Sequence, residues 1–126
     1  LVEEAAGGKK IGTTGRGIGP CYADKVNRLH SIRIHDLMDP KTLRDRLSVI
    51  VPRKNQILAA LSKDAKLFDA ETLAREYDGY ADRFRPFVVD SFWHLQKSLA
   101  EGKKILFEGA QGSLLDIDHG SYPFVT

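Results

Sequence analysis

Apolar residues return every three or four positions through the middle of the chain, at Leu43, Leu47, Ile50, Val51, Ile57, Leu58 and Leu61. Lys54 is the one polar member of that stripe. The spacing predicts an amphipathic helix. Asp39 is suited to cap it and Pro40 to open its first turn. Pro52 removes a backbone donor and crowds the preceding turn, so a kink or split is predicted there. Asp69 predicts the cap of a further helix with Leu73, Tyr77, Ala81 and Phe84 inside, weakened or bent by Gly79 and Pro86. Val88, Val89, Phe92, Trp93, Leu95 and Leu99 make an apolar face of about three turns, stopped by Gly102. Tyr77, Tyr80, Phe84, Phe92 and Trp93 lie at helical spacing and read as core rather than as a cofactor box.

The flanking segments read differently. Residues 1–6 look like the tail of a helix, with Gly7-Gly8 as its stop. Pro20 predicts a helix over 21–29 that places Lys25 and Arg28 on one face. Residues 31–37 alternate, which predicts a strand or an extended loop. The clearest strand is 103–108, Lys-Lys-Ile-Leu-Phe-Glu, running from a glycine-terminated helix into Gly109-Ala110-Gln111-Gly112. That order is half of an αβ unit in a parallel sheet. Ligands of such sheets sit beyond the carboxyl ends of the strands, where Glu108, Gln111 and 116–119 fall. The predicted class is α/β and rich in helix. A lone strand makes no stable sheet, and the apolar run 122–125 needs a covering partner. Both features predict an internal piece of a larger parallel-sheet domain.

Composition narrows the function classes. With 19 basic and 17 acidic residues the formal charge is +2, and basic residues come in no block longer than a pair such as Lys9-Lys10. This gives no electrostatic footprint for nucleic acid. The single Cys21 forms no internal disulfide, in keeping with a reducing compartment. No apolar stretch approaches a membrane span and no signal-peptide pattern opens the chain. The expectation is a soluble, cytoplasmic protein with no membrane partner.

The candidate chemistry is concentrated in Gly12-Thr13-Thr14-Gly15-Arg16-Gly17-Ile18-Gly19-Pro20. Glycines let the backbone approach a ligand, exposed N–H groups form an anion-binding concavity, and hydroxyls and a guanidinium add donors. The segment is neither a Walker A loop nor a dinucleotide fingerprint. Lys25 and Arg28 follow it, and the arginine fork grips two phosphate oxygens where the lysine supplies a point charge. A bare surface turn and solvated helix charges are the competing readings. Gln111, set between glycines, has the donor and acceptor that a purine edge requires, although it also suits a bond to its own loop. Asp116, Asp118 and His119 are too few for a hard-metal or zinc site. They read as solvated carboxylates or as partners for Arg16, Lys25 and Arg28. Cys21 has no partner pattern for a nucleophile.

Two long motifs together resemble the adenylosuccinate synthetase family. Residues 11–20 with Tyr22, Lys25 and Arg28 match its signature Gly-Ile-Gly-Pro-x-Tyr-x-x-Lys-x-x-Arg without a mismatch. Phe107-Glu108-Gly109-Ala110-Gln111-Gly112, Leu115-Asp116-Ile117-Asp118-His119-Gly120 and Tyr122-Pro123-Phe124-Val125-Thr126 are similar to its second motif, with Ser113 and Ser121 where the family has threonine. The resemblance implies a P-loop-NTPase-like parent domain that joins inosine monophosphate to L-aspartate with GTP and Mg²⁺, in purine biosynthesis. It implies Thr14 and Thr126 on the 5′-phosphate, with Arg28 joining them from the neighbouring subunit of a homodimer. It also implies Gln111 at the 6-position side of the base and Lys25 as the active-site lysine, in an electrostatic role.

The family's phosphate loop, with its catalytic aspartate and metal contact, and the histidine beyond it have no counterpart here. The aspartate-binding and guanine-recognition regions also have none. The resemblance therefore implies no nucleotide-cofactor or metal ligand in this chain, and no activity in isolation. Residues 1–30 read as the glycine loop and basic helix, 31–102 as a helical region, and 103–126 as strand and substrate loop. A non-catalytic nucleotide-binding or regulatory module, and a structural helical segment whose loop binds nothing, are the other classes compatible with the residues.

Overall fold

A computed structural model describes Gly7 and residues 11–126. The expected helix tail over 1–6 and the Gly8 part of its stop lie outside the described residues. The chain divides into two compact units, 1–85 and 86–126.

Among the described residues the first unit has four α-helices. α1 spans Ile18–Val26, α2 is the single turn Ile34–Leu37, and α3 spans Pro40–Leu61. The fourth helix, α4, spans Ala70–Phe84 and packs along α3. Asp39 caps α3 as expected, accepting the Lys41 N–H at 3.2 Å. Asp69 caps α4 by accepting the Thr72 N–H at 2.8 Å. Both caps satisfy donors that the first turn of a helix leaves open.

The core contains Leu37, Leu43, Leu47, Val51, Ala74 and Ala81, with Met38, Ala70 and Leu73 packed against it. Ile50 is buried as well. The predicted α3 stripe is therefore buried over its first half, whereas Ile57 is exposed. Of the predicted kink or split at Pro52, the split does not occur, since one helix runs through it. Losing one backbone bond costs about 3 kcal/mol, and burial of Leu47, Ile50 and Val51 in the adjoining turns offsets that.

The inner face of α4 matches the predicted one at Leu73 and Ala81 and departs from it at Tyr77 and Phe84, with Ala74 buried in addition. Ala74 and Ala81 are buried at 0% and 1% exposure, while Tyr77, Tyr80 and Phe84 are exposed. Small residues let α4 approach α3 closely, and the bulkier aromatic edge of its stripe turns outward. Tyr77 and Tyr80 meet edge to face at 5.5 Å.

Residues 34–37 are helical rather than extended. A backbone-to-carboxylate bond favours this, with the Arg33 N–H donating to Asp36 Oδ2 at 2.8 Å. Helix α1 ends at Val26, short of the predicted Leu29. Asn27 is extended there, and its Oδ1 accepts the Leu29 N–H at 2.9 Å. That local bond competes with the next helical turn. Arg28 therefore lies beyond the helix rather than on one helical face with Lys25.

In the second unit, α5 spans Ser91–Ala100, capped by Asp90, which accepts the Trp93 N–H at 3.1 Å. Gly102 at φ 68° ends the helical stretch as predicted. Phe92 and Trp93 are exposed and stack edge to face at 5.2 Å, so they are not core within this unit. The predicted strand 103–108 is not formed, and the described residues contain no strand. A ladder needs a neighbouring segment to pair with, and none of the described segments supplies one. Leu106 and Phe107 stand 90% and 84% exposed.

Candidate functional site

The glycine loop enters α1 through backbone conformations that favour glycine. Gly12, Gly15 and Gly17 have φ values of 91°, 66° and 76°. Gly17 is the N-cap of α1, and no side chain bonds to the first turn. A Cβ at Gly15 or Gly17 would meet nothing within 4 Å, so the left-handed backbone rather than crowding calls for glycine. Thr13 Oγ1 accepts the Gly15 N–H at 3.2 Å and braces the turn. Thr14 and Arg16 are exposed on it. A helix start without a side-chain cap, ringed by hydroxyls and a guanidinium, is suited to an oxyanion.

Lys25 occupies the last turn of α1, with its ammonium 5.6 Å from the Tyr22 ring centroid. Arg28 lines an open cleft of about 340 Å³ with Leu29, Thr42, Asp45, Arg46 and Val49. Lys25 does not line that cleft. Three of the lining polar groups are held from outside it. The Thr42 hydroxyl donates to Asp39, a bond that lowers the Asp39 carboxyl below its ordinary 3.8. Asp45 accepts from Lys41 at 2.8 Å. Arg46 Nε lies 3.5 Å from Asp36, which is buried.

Gln111 and Thr126 belong to the second unit. Gln111 is exposed just before the 3-10 turn Ser113–Leu115. Thr126 is partly buried, and its N–H donates to the Leu115 carbonyl at 3.1 Å. The loop between them is organised by Asp116. Its Oδ1 accepts the N–H groups of Asp118 and His119 at 2.9 and 2.8 Å, and its carbonyl accepts that of Gly120 at 2.8 Å. Asp116 is thus a structural acceptor rather than a free solvated carboxylate. Among the described residues, no group of three or more His, Cys, Asp or Glu is placed to hold a metal ion. No described helix is long and apolar enough to cross a membrane.

Three residues with no site role assigned from the sequence, Asp36, Lys54 and Asp24, shape these surfaces. Asp36 had the signal of a capping position three residues after Arg33. Lys54 had that of a lone cation in an apolar stripe. Its partner, Asp24, had none, because the pairing joins residues 30 apart.

The family model described as adenylosuccinate synthetase matches residues 1–126. The chain is 56% identical over 124 residues to the adenylosuccinate synthetase of Synechococcus elongatus, covering 98% of this chain and 28% of that protein. It is 49% identical over 124 residues to that of Thermobifida fusca, covering 98% and 29%. Among solved structures, fully ligated adenylosuccinate synthetase from Plasmodium falciparum superposes with a TM-score of 0.80 at 33% identity, covering 99% of this chain and 28% of the other. The chain thus spans under a third of the length of these relatives. With a glycine loop, the Lys25 and Arg28 that follow it and a second motif in a chain matched over its whole length, the chain belongs to the adenylosuccinate synthetase family.

Proposed function

We propose that this chain is the inosine-monophosphate-binding part of an enzyme that ligates inosine monophosphate and L-aspartate to adenylosuccinate at the expense of GTP. GTP phosphorylates the purine 6-oxygen, and the aspartate amine then displaces phosphate, leaving GDP, inorganic phosphate and adenylosuccinate. The observation that carries this reading is the glycine loop opening onto the α1 N-terminus without a side-chain cap, in a chain matched to the family over 1–126. Preorganised N–H groups, hydroxyls and cations are what a phosphate monoester requires.

Thr14 and Thr126 are proposed as 5′-phosphate ligands, and Arg28 as a further one acting on the neighbouring protomer of a homodimer. Gln111 is assigned to the 6-position side of the base. Lys25 is assigned an electrostatic catalytic role, since phosphoryl transfer depends mainly on positioning and charge stabilisation. Mg²⁺ would neutralise charge on the transferred phosphoryl group, and its ligands and those of GTP are assigned to sequence outside this chain. A parallel-sheet, P-loop-NTPase-like parent domain is proposed to supply the neighbours of 103–108, and the cytoplasm is the proposed location.

In the full-length protein, GDP should form only when inosine monophosphate and aspartate are both present. GDP formation indifferent to either would overturn the ligase reading. Arg28→Leu should raise the KM for inosine monophosphate by about tenfold or more, as expected for loss of a charge-assisted bidentate contact. An unchanged KM would remove Arg28 from the site.

A further inference from the structure

Helix α1 contains Lys25 and leads directly to Arg28, yet none of its residues is buried. A nine-residue helix is marginal unless something holds it. Its apolar stripe of Ile18, Tyr22 and Val26 is exposed. Asp24 lies on the other side, roughly 160° around the helix from Tyr22 at 100° per residue. On that side Lys54 Nζ donates to Asp24 Oδ1 at 2.6 Å, with the two side chains 35% and 30% exposed. A second contact follows one residue earlier on α3, where Arg53 Nη1 lies 3.0 Å from His30 Nε2. Lys54 is also the lone polar residue in the apolar stripe of α3, which the pairing accounts for.

We propose that Lys54 is a positioning residue that acts through Asp24 to hold α1 in the arrangement from which Lys25 acts and Arg28 reaches the phosphate-bearing substrate of the neighbouring protomer. The inference rests on the inosine-monophosphate reading above. Partial shielding makes this ion pair stronger than a fully exposed one. Loosening it lets α1 leave the binding arrangement, and apparent affinity falls by the fraction of molecules still competent.

The test uses the full-length protein. Lys54→Asp and Asp24→Lys should each raise the KM for inosine monophosphate about three- to tenfold, the range of a coupled neighbouring pair, with the KM for GTP unchanged. The double exchange should restore it. Lys54→Met, which keeps the apolar stem, should reproduce the rise even if charge reversal impairs folding, and Lys54→Arg should stay near wild type. The proposal is overturned if Lys54→Met leaves the KM for inosine monophosphate unchanged. It is also overturned if inosine monophosphate and GTP are affected alike and the double exchange mends neither. Wild-type protein without inosine-monophosphate-dependent turnover would overturn the functional reading and this inference together; an active wild type with unresponsive variants overturns this inference alone.

Discussion

Two glycines show how one residue type meets two different needs. Gly17 stands in open space and is required for its φ of 76°. Gly120 is required for close approach, because a Cβ there would lie 2.4 Å from the carbonyl oxygens of both Asp116 and Leu114. Those oxygens accept the N–H groups of Gly120 and Ser121, so any relief opens the loop that ends at Thr126. Gly120→Ala in the full-length protein should raise the KM for inosine monophosphate about tenfold, since small displacements of a ligand-positioning segment are costly. Steady-state kinetics at unchanged GTP concentration checks this, and wild-type values would show that the loop does not position the substrate. Ala74 makes the corresponding case in the core. At 0% exposure against α3 it has no room for extra methylene groups, so Ala74→Leu should destabilise the first unit by about 1–3 kcal/mol, measured by denaturant titration.

At the scale of elements, the caps were legible and the partners were not. Asp39 and Asp69 could be assigned because an N-cap is a local bond between residues two or three apart. The burial register of α4 was legible only at Leu73 and Ala81, because Tyr77 and Phe84 are as apolar as the Ala74 that is buried in their place. Residues 34–37 were misread for a related reason: alternation favoured a strand or extended loop, while the bond from the Arg33 N–H to the Asp36 carboxylate favoured a turn of helix. The caps also carry a pH dependence. The Thr72 hydroxyl and N–H bonds hold the Asp69 carboxyl below its ordinary 3.8. Its contribution to stability is therefore present above about 3.8 and lost as pH falls through the lower folded-state value. Asn caps a helix without titrating there. The melting-temperature advantage of wild type over Asp69→Asn should accordingly shrink between pH 5 and pH 2, roughly the range over which such a carboxylate protonates. A difference independent of pH would rule out the linkage.

For the molecule as a whole, the dominant feature is uncovered apolar surface. Phe92, Trp93, Leu99, Leu106 and Phe107 are all more than half exposed. Phe92, Leu95, Leu99, Ile105 and Phe107 line an open cleft of about 440 Å³ in the second unit. Contiguous apolar surface of this kind marks an interface, and the chain spans only 28% of the Synechococcus elongatus relative. The 126-residue chain alone should therefore bind a hydrophobic reporter dye strongly and show no ligase turnover. The full-length protein should bind less dye per mole and be active. Equal dye binding by the two would mean that the rest of the protein leaves these residues uncovered.

Short-range chemistry is what the sequence by itself determined. The glycine loop, the caps at Asp39 and Asp69, the stop at Gly102 and the two family motifs all depend on neighbours a few residues away. Tertiary structure alone decided that Ala74 rather than Tyr77 and Phe84 is buried on α4, that Pro52 is carried within one helix, and that Lys54 reaches back to Asp24. Each of those outcomes balances a local preference against packing or charge contributed from 20 or more residues away. The same physics accounts for 103–108: its apolar sequence favours a strand, but a strand exists only when a second segment completes its hydrogen bonds.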